Sequence, residues 1–110
     1  MITTHVLDIA QGVPAAGVTV ILEVRNVTDW SPVGRGTTDA RGRLTTLTSG
    51  PLAPGTYRLT FDVGDYHKAQ GVEDPFFPEA KIMFTVRDTS EHYHVPLVLS
   101  PFGYSTYRGT

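Results

Sequence analysis

The chain has 110 residues, one domain's worth, with no cysteine and a net charge of −2 from nine Lys+Arg and eleven Asp+Glu. Disulfides, thiolate metal sites and thiol catalysis are therefore excluded, and no basic surplus exists to neutralise a nucleic-acid backbone. No apolar run approaches the ~20 residues of a membrane span, and MITTHVLDIAQG has no Lys or Arg ahead of its apolar residues, unlike a secretory signal. A soluble, cytoplasmic, single domain over residues 1–110 is the expectation.

Eleven glycines and eight prolines punctuate short apolar stretches, the pattern of strands and turns rather than of helices. Thr3–Leu7 is β-branched and extended. Gln11–Ala16 reads as a turn, with φ fixed at Pro14. Val18, Val20, Leu22 and Val24 then alternate with Thr19, Ile21, Glu23 and Arg25, so one face is core. Ile21 is the apolar exception on the outer face, which implies that this face also meets something. Trp30–Thr38 is a further strand, weakened by Pro32 and two glycines. Asp39-Ala-Arg-Gly is a tight turn in which Gly42 can take positive φ.

Gly50–Gly55 is a loop, and Thr56–Phe61 alternates again. Asp65–Gln70 alone has helical character, and Gly71 stops it. Ile82, Phe84 and Val86 mark the next strand. His92–Leu99 and Tyr104–Arg108 are the last two, joined through Ser100–Gly103. About seven or eight short strands with turns every ~8–12 residues describe an all-β sandwich or barrel with one short helix.

Few residues here carry chemistry. His5 lies on the first strand, where a single histidine is usually a half-buried strand residue. His67, in the helix, reads as a solvated side chain. His92 and His94 stand two apart, so on a strand they share a face. With His5 they make three candidate zinc ligands, but no carboxylate sits at ligand spacing. Acid–base work is the alternative, and a solvated start to the core strand Val95–Leu99 is the plainest reading. Arg41 and Arg43 flank the turn glycine, where arginine is usually solvated. Arg108 has a planar fork suited to carboxylates, imides and other planar anions. No nucleophile elbow and no phosphate-binding glycine loop is present. The residues alone leave the reaction open.

Several segments together resemble one family. HVLD near the start, TTDARGR at a turn, LAPGTYRLTFD, FFPE, HYHVPLVLSP and the terminal YSTYRG are similar, in order, to the transthyretin-like 5-hydroxyisourate hydrolases. The resemblance runs from about Thr4 to the last residue. It implies a transthyretin-like sandwich of two four-stranded sheets with one short helix. It also implies a homotetramer, a dimer of dimers with active sites in the channel between dimers, which would account for Ile21. The implied reaction is hydrolysis of 5-hydroxyisourate to 2-oxo-4-hydroxy-4-carboxy-5-ureidoimidazoline, with no metal or organic cofactor.

Carried onto this sequence, the family's catalytic positions fall on His5, Arg43 and His94. Its terminal tetrapeptide falls on Tyr107, Arg108, Gly109 and Thr110, which would hold the substrate. His92 falls outside the match and is left as a neighbour. The two histidines would orient and deprotonate water, Arg43 would hold ring carbonyls and the oxyanion, and Arg108 would clamp the planar substrate. One departure is Thr110, where the family ends on Ser; the hydroxyl is kept and a methyl is added. Two rivals remain: a carrier of small hydrophobic ligands in the same channel, and a sugar-binding sandwich using Trp30 and the tyrosines.

Overall fold

The computed structural model describes residues 1–110 and consists of two packed β-sheets with one helix. In chain order the elements are β1 (Ile2–Asp8), β2 (Val13–Pro14), β3 (Thr19–Asn26), β4 (Asp29–Thr37), β5 (Arg43–Leu44) and β6 (Gly55–Phe61). Helix α1 (Val63–Ala69) follows, then β7 (Ala80–Val86), β8 (Tyr93–His94), β9 (Leu97–Ser100) and β10 (Gly103–Thr106).

One sheet is fully antiparallel in the order β4-β3-β6-β7. The other centres on β1. Along one edge of β1 run β8 and then β9, both parallel to it, pairing Ile2 with Tyr93 and Val6 with Leu97. Along the other edge lie β2 and β5, both antiparallel. β10 closes the sheet outside β9. This sheet holds six strands by count. It follows four lanes, because Val95-Pro96 divides one lane in two and the Gly42 turn enters another. Proline has no N–H for the ladder, so a division at Pro96 is expected.

The alternating faces close on a single core. Val18, Val20 and Leu22 from the β3 region meet Leu59 and Phe61 of β6, with Ile2, Val6, Leu97 and Leu99 opposite, all almost fully buried. Val24 is only partly buried, beyond a register shift at Leu22/Glu23 that bends the strand. Ile21 is half-buried between Arg35 and Thr60. No helix is long and apolar enough to cross a membrane.

Helix α1 begins two residues earlier than the sequence pattern implies. Asp62 caps it, its side chain accepting from the Asp65 N–H at 3.3 Å. Val63, Tyr66 and His67 form its inward stripe. His67 is therefore not solvated as its sequence context implied. It is 2% exposed, and its Nε2–H donates to the Ser100 carbonyl at 3.1 Å. Tyr66 donates to Asp8 Oδ2 at 2.7 Å, tying the helix to β1. Burial works to raise the Asp8 carboxyl, but hydrogen bonds from Tyr66, Gln11 and Ala10 outweigh it and hold the group below its ordinary range.

The turn before β5 is set by Asp39. Its Oδ1 accepts from the N–H groups of Arg41 and Arg43, each at 2.9 Å. Gly42 follows at φ 76°, and its carbonyl accepts from Val6 N–H at 2.8 Å. A Cβ at Gly42 would stand 2.4 Å from the Val6 carbonyl oxygen. Both strain and clash therefore oppose any side chain here. Gly42→Ala is expected to destabilise the fold by about 1–3 kcal/mol, measured by urea denaturation. An unchanged midpoint would mean that the turn relaxes freely and does not fix Arg43.

Candidate active site

β1 carries two site residues on one face. Thr3 and His5 are two apart and therefore point the same way, opposite to Ile2, Thr4 and Val6. The pairing of β1 with β8 sets Thr3 beside His94, and its pairing with β5 sets His5 beside Arg43. Three short stretches, distant in sequence, thus converge on one end of the sheet. The chain end joins them: Gly109 bridges to His94, its N–H donating to the His94 carbonyl at 2.8 Å.

These residues surround a cavity of about 230 Å³ lined by Thr3, Arg43, Thr45, His92, His94 and Thr110, together with Thr4 and Met1. Met1 is its only apolar residue. The Thr3 hydroxyl lies 2.8 Å from His94 Nδ1 and 2.7 Å from His92 Nε2. The His5 Nε2–H donates to the Arg41 carbonyl at 2.9 Å, so its Nδ1 is left without a proton in the neutral ring. Arg43 makes no ion pair, so its guanidinium is available to an anion or carbonyl.

Burial pushes the pKa of His94 below its ordinary value, and the charges of His92, His5 and Arg43 push the same way. Both effects favour the neutral ring, the form able to accept a proton. No three histidine, aspartate or glutamate side chains gather as a metal-ligand set.

The seven residues expected at the site divide into two groups within one chain. Arg43, His94 and Thr110 line the cavity, Gly109 packs on His94, and His5 shares the face. Tyr107 and Arg108 line a separate cavity of about 190 Å³ against Ile82, Phe84, Tyr93 and Val95. Arg108 lies 4.7 Å over the Tyr93 ring and 3.4 Å from Glu91 Oε2. The tail strand ends at Thr106, sooner than the sequence implies. Thr106 Oγ1 donates to the Pro96 carbonyl at 2.7 Å, and the chain then turns toward His94. Thr3 was missed by sequence reasoning, although period two from His5 points to it. His92, left there as a neighbour, shares the Thr3 hydroxyl with His94.

Fold and cavity together define a small β-sandwich with a polar cavity of histidine, arginine and threonine at one end of its central strand. The chain belongs to the HIUase/Transthyretin family, whose model matches residues 2–109. It is 48% identical to a 5-hydroxyisourate hydrolase of Deinococcus radiodurans, covering 99% of this chain and 95% of that one. Among solved structures it resembles Klebsiella pneumoniae 5-hydroxyisourate hydrolase, with TM-score 0.87, 38% identity, and coverage of 99% of this chain and 98% of that one. It also resembles transthyretin from Sparus aurata, with TM-score 0.89, 31% identity, and coverage of 98% and 95%. Fold similarity alone therefore does not separate hydrolase from transthyretin.

Proposed function

We propose that this chain is a hydrolase of 5-hydroxyisourate, opening its six-membered ring at an amide bond with water. The observation that carries the reading is a half-buried imidazole, His94, with its pKa held below the ordinary value, in one polar cavity with Arg43. A carrier of hydrophobic ligands would call for an apolar lining, and here only Met1 is apolar. Hydrolase relatives at high coverage support the same choice.

The chemistry follows from the residues. His94 is the general base and takes a proton from water as its oxygen attacks the ring carbonyl carbon. The negative charge that develops on the carbonyl oxygen is met by Arg43. The C–N bond then breaks, and the proton held by His94 passes to the leaving nitrogen. His5, fixed by the Arg41 carbonyl, orients the water through its free nitrogen. Gly109 and Thr110 close the cavity beside His94.

Tyr107 and Arg108 face another cavity in their own chain. Their role in holding substrate belongs with a further part of the proposal, a homotetramer in which the chain ends meet at a dimer–dimer channel. Support for assembly comes from β7, which pairs with β6 on one side only and exposes Met83. A cytoplasmic setting completes the proposal; a cysteine-free chain folds without need of an oxidising compartment.

The test is a decay assay. 5-Hydroxyisourate made freshly from urate with urate oxidase loses its ultraviolet absorbance spontaneously, and this protein is expected to accelerate that loss many-fold. Decay no faster than the blank from folded protein would overturn the proposal. Sedimentation equilibrium on the same sample should return four times the 12.0 kDa chain mass.

A further inference from the structure

The hydroxyl of Thr3 has one proton and two lone pairs. Two imidazole nitrogens stand within hydrogen-bond distance of it, His92 Nε2 and His94 Nδ1. Thr3 is 3% exposed and has no other side-chain hydrogen bond. If both rings donated to its oxygen, the hydroxyl proton would be buried without an acceptor, which costs free energy. The hydroxyl therefore donates to one ring and accepts from the other. The three groups form a directed chain, and its direction decides which nitrogen of His94 carries hydrogen.

In one direction His92 Nε2–H donates to Thr3 and Thr3 donates to His94 Nδ1. His94 then carries its hydrogen on Nε2 and cannot act as a base from that nitrogen. In the other direction His94 Nδ1–H donates to Thr3 and Thr3 donates to His92 Nε2. His94 Nε2 then holds a lone pair. When that lone pair takes a proton, the imidazolium still donates from Nδ1, so the second direction accommodates both states of a base without rearrangement. The first direction would have to reverse.

The geometry points to Thr3 as a positioning residue for the hydrolysis: with His92 as the terminal acceptor, its hydroxyl holds His94 in the Nδ1–H tautomer and leaves Nε2 as the base. The inference rests on the proposed function above. It gives His92, exposed at the surface, a task beyond adjacency. Its one hydroxyl is taken up by the two imidazoles, so Thr3 acts through His94.

The experiment has two arms. Nitrogen-15 spectra of the imidazole rings of the intact protein, at a pH where both rings are neutral, are expected to show His94 protonated at Nδ1 and His92 bearing its lone pair on Nε2. Finding His94 protonated at Nε2 would overturn the inference, whatever the activity. In the second arm Thr3→Val keeps the β-branched shape and removes the hydroxyl, while Thr3→Ser keeps the hydroxyl. Thr3→Val should lose about 10- to 100-fold in kcat, with KM changed less than about threefold, and His94 should become a mixture of tautomers. Thr3→Ser should restore kcat to within about threefold of the parent. A Thr3→Val enzyme as fast as the parent would overturn the inference while leaving the hydrolase reading intact. A parent protein that does not accelerate decay would overturn the hydrolase reading, and the tautomer arm would still decide the geometry. Should Thr3→Val fail to fold, the parent spectra and Thr3→Ser still decide.

Discussion

His94→Ala is expected to lose about 10²–10⁴-fold in kcat for 5-hydroxyisourate, the usual worth of a positioned general base. The side chain is half-buried in a polar cavity and leaves no apolar hole when shortened, so the urea midpoint should move little. The pH dependence carries the sign. A base works when neutral, so kcat/KM rises with pH through its pKa. Burial first, and then the charges of His92, His5 and Arg43, lower that pKa from 6.5. The acidic limb should therefore lie below 6.5, with a plateau through neutrality. The same shift favours the folded state at high pH: this histidine's contribution to stability is present above its unfolded value and is lost as pH falls through the lowered one. Turnover near that of the parent in His94→Ala would remove His94 as the base. A limb above 6.5 would show that a different group titrates.

The strands with strict alternation were readable from sequence because one buried face imposes period two, as at Val18–Val24 and Tyr57–Phe61. The two-residue β5 was not: it is too short for any periodicity, yet it brings Arg43 to β1. The strand read over His92–Leu99 is divided at Val95-Pro96, and its first piece, β8, brings His94 to β1. His67 was misread because a two-turn helix offers few positions from which to judge its inward face. Tyr66 on the same stripe is what the core takes first, and His67 follows it inside.

At the site, Arg43 and His94 were named from family resemblance, and the cavity contains both. Their neighbour Thr3 was not named, because a threonine on a strand is ordinarily a β-former and nothing more. Period two from His5 puts it on the site's face, but it is the parallel pairing that sets Thr3 beside His94. Such a pairing joins residues 91 apart, and no local pattern encodes it. Tyr107 and Arg108 show the converse. They sit two and one residues before Gly109, yet beyond the strand end at Thr106 the tail delivers both to the Tyr93 side, and strand alternation does not describe it.

Gly109→Ala should lower kcat by about 10²-fold, the cost of misplacing a catalytic group by roughly 1 Å. A Cβ there would lie 2.5 Å from His94 Cδ2, and 3.3 and 3.4 Å from its Cγ and Cβ. The Gly109 backbone is not in the left-handed region, so the effect comes from contact rather than backbone strain. Two bonds resist the shift that contact demands. The Gly109 N–H pins the tail to the His94 carbonyl, and Thr3 pins the ring at Nδ1. Either the ring turns and leaves Thr3, or the tail lifts and takes Thr110 from the cavity. Stability should change by less than about 1 kcal/mol, since the tail is mostly exposed. The two routes separate in a double-mutant cycle. If alanine turns the ring, Gly109→Ala and Thr3→Val disturb the same imidazole, and their combined loss falls well short of the product of the single losses. If alanine lifts the tail, the losses multiply, and the 5-hydroxyisourate KM rises with them. An unchanged kcat in Gly109→Ala would mean that the tail does not organise His94, and that the chain end serves the site only from another subunit.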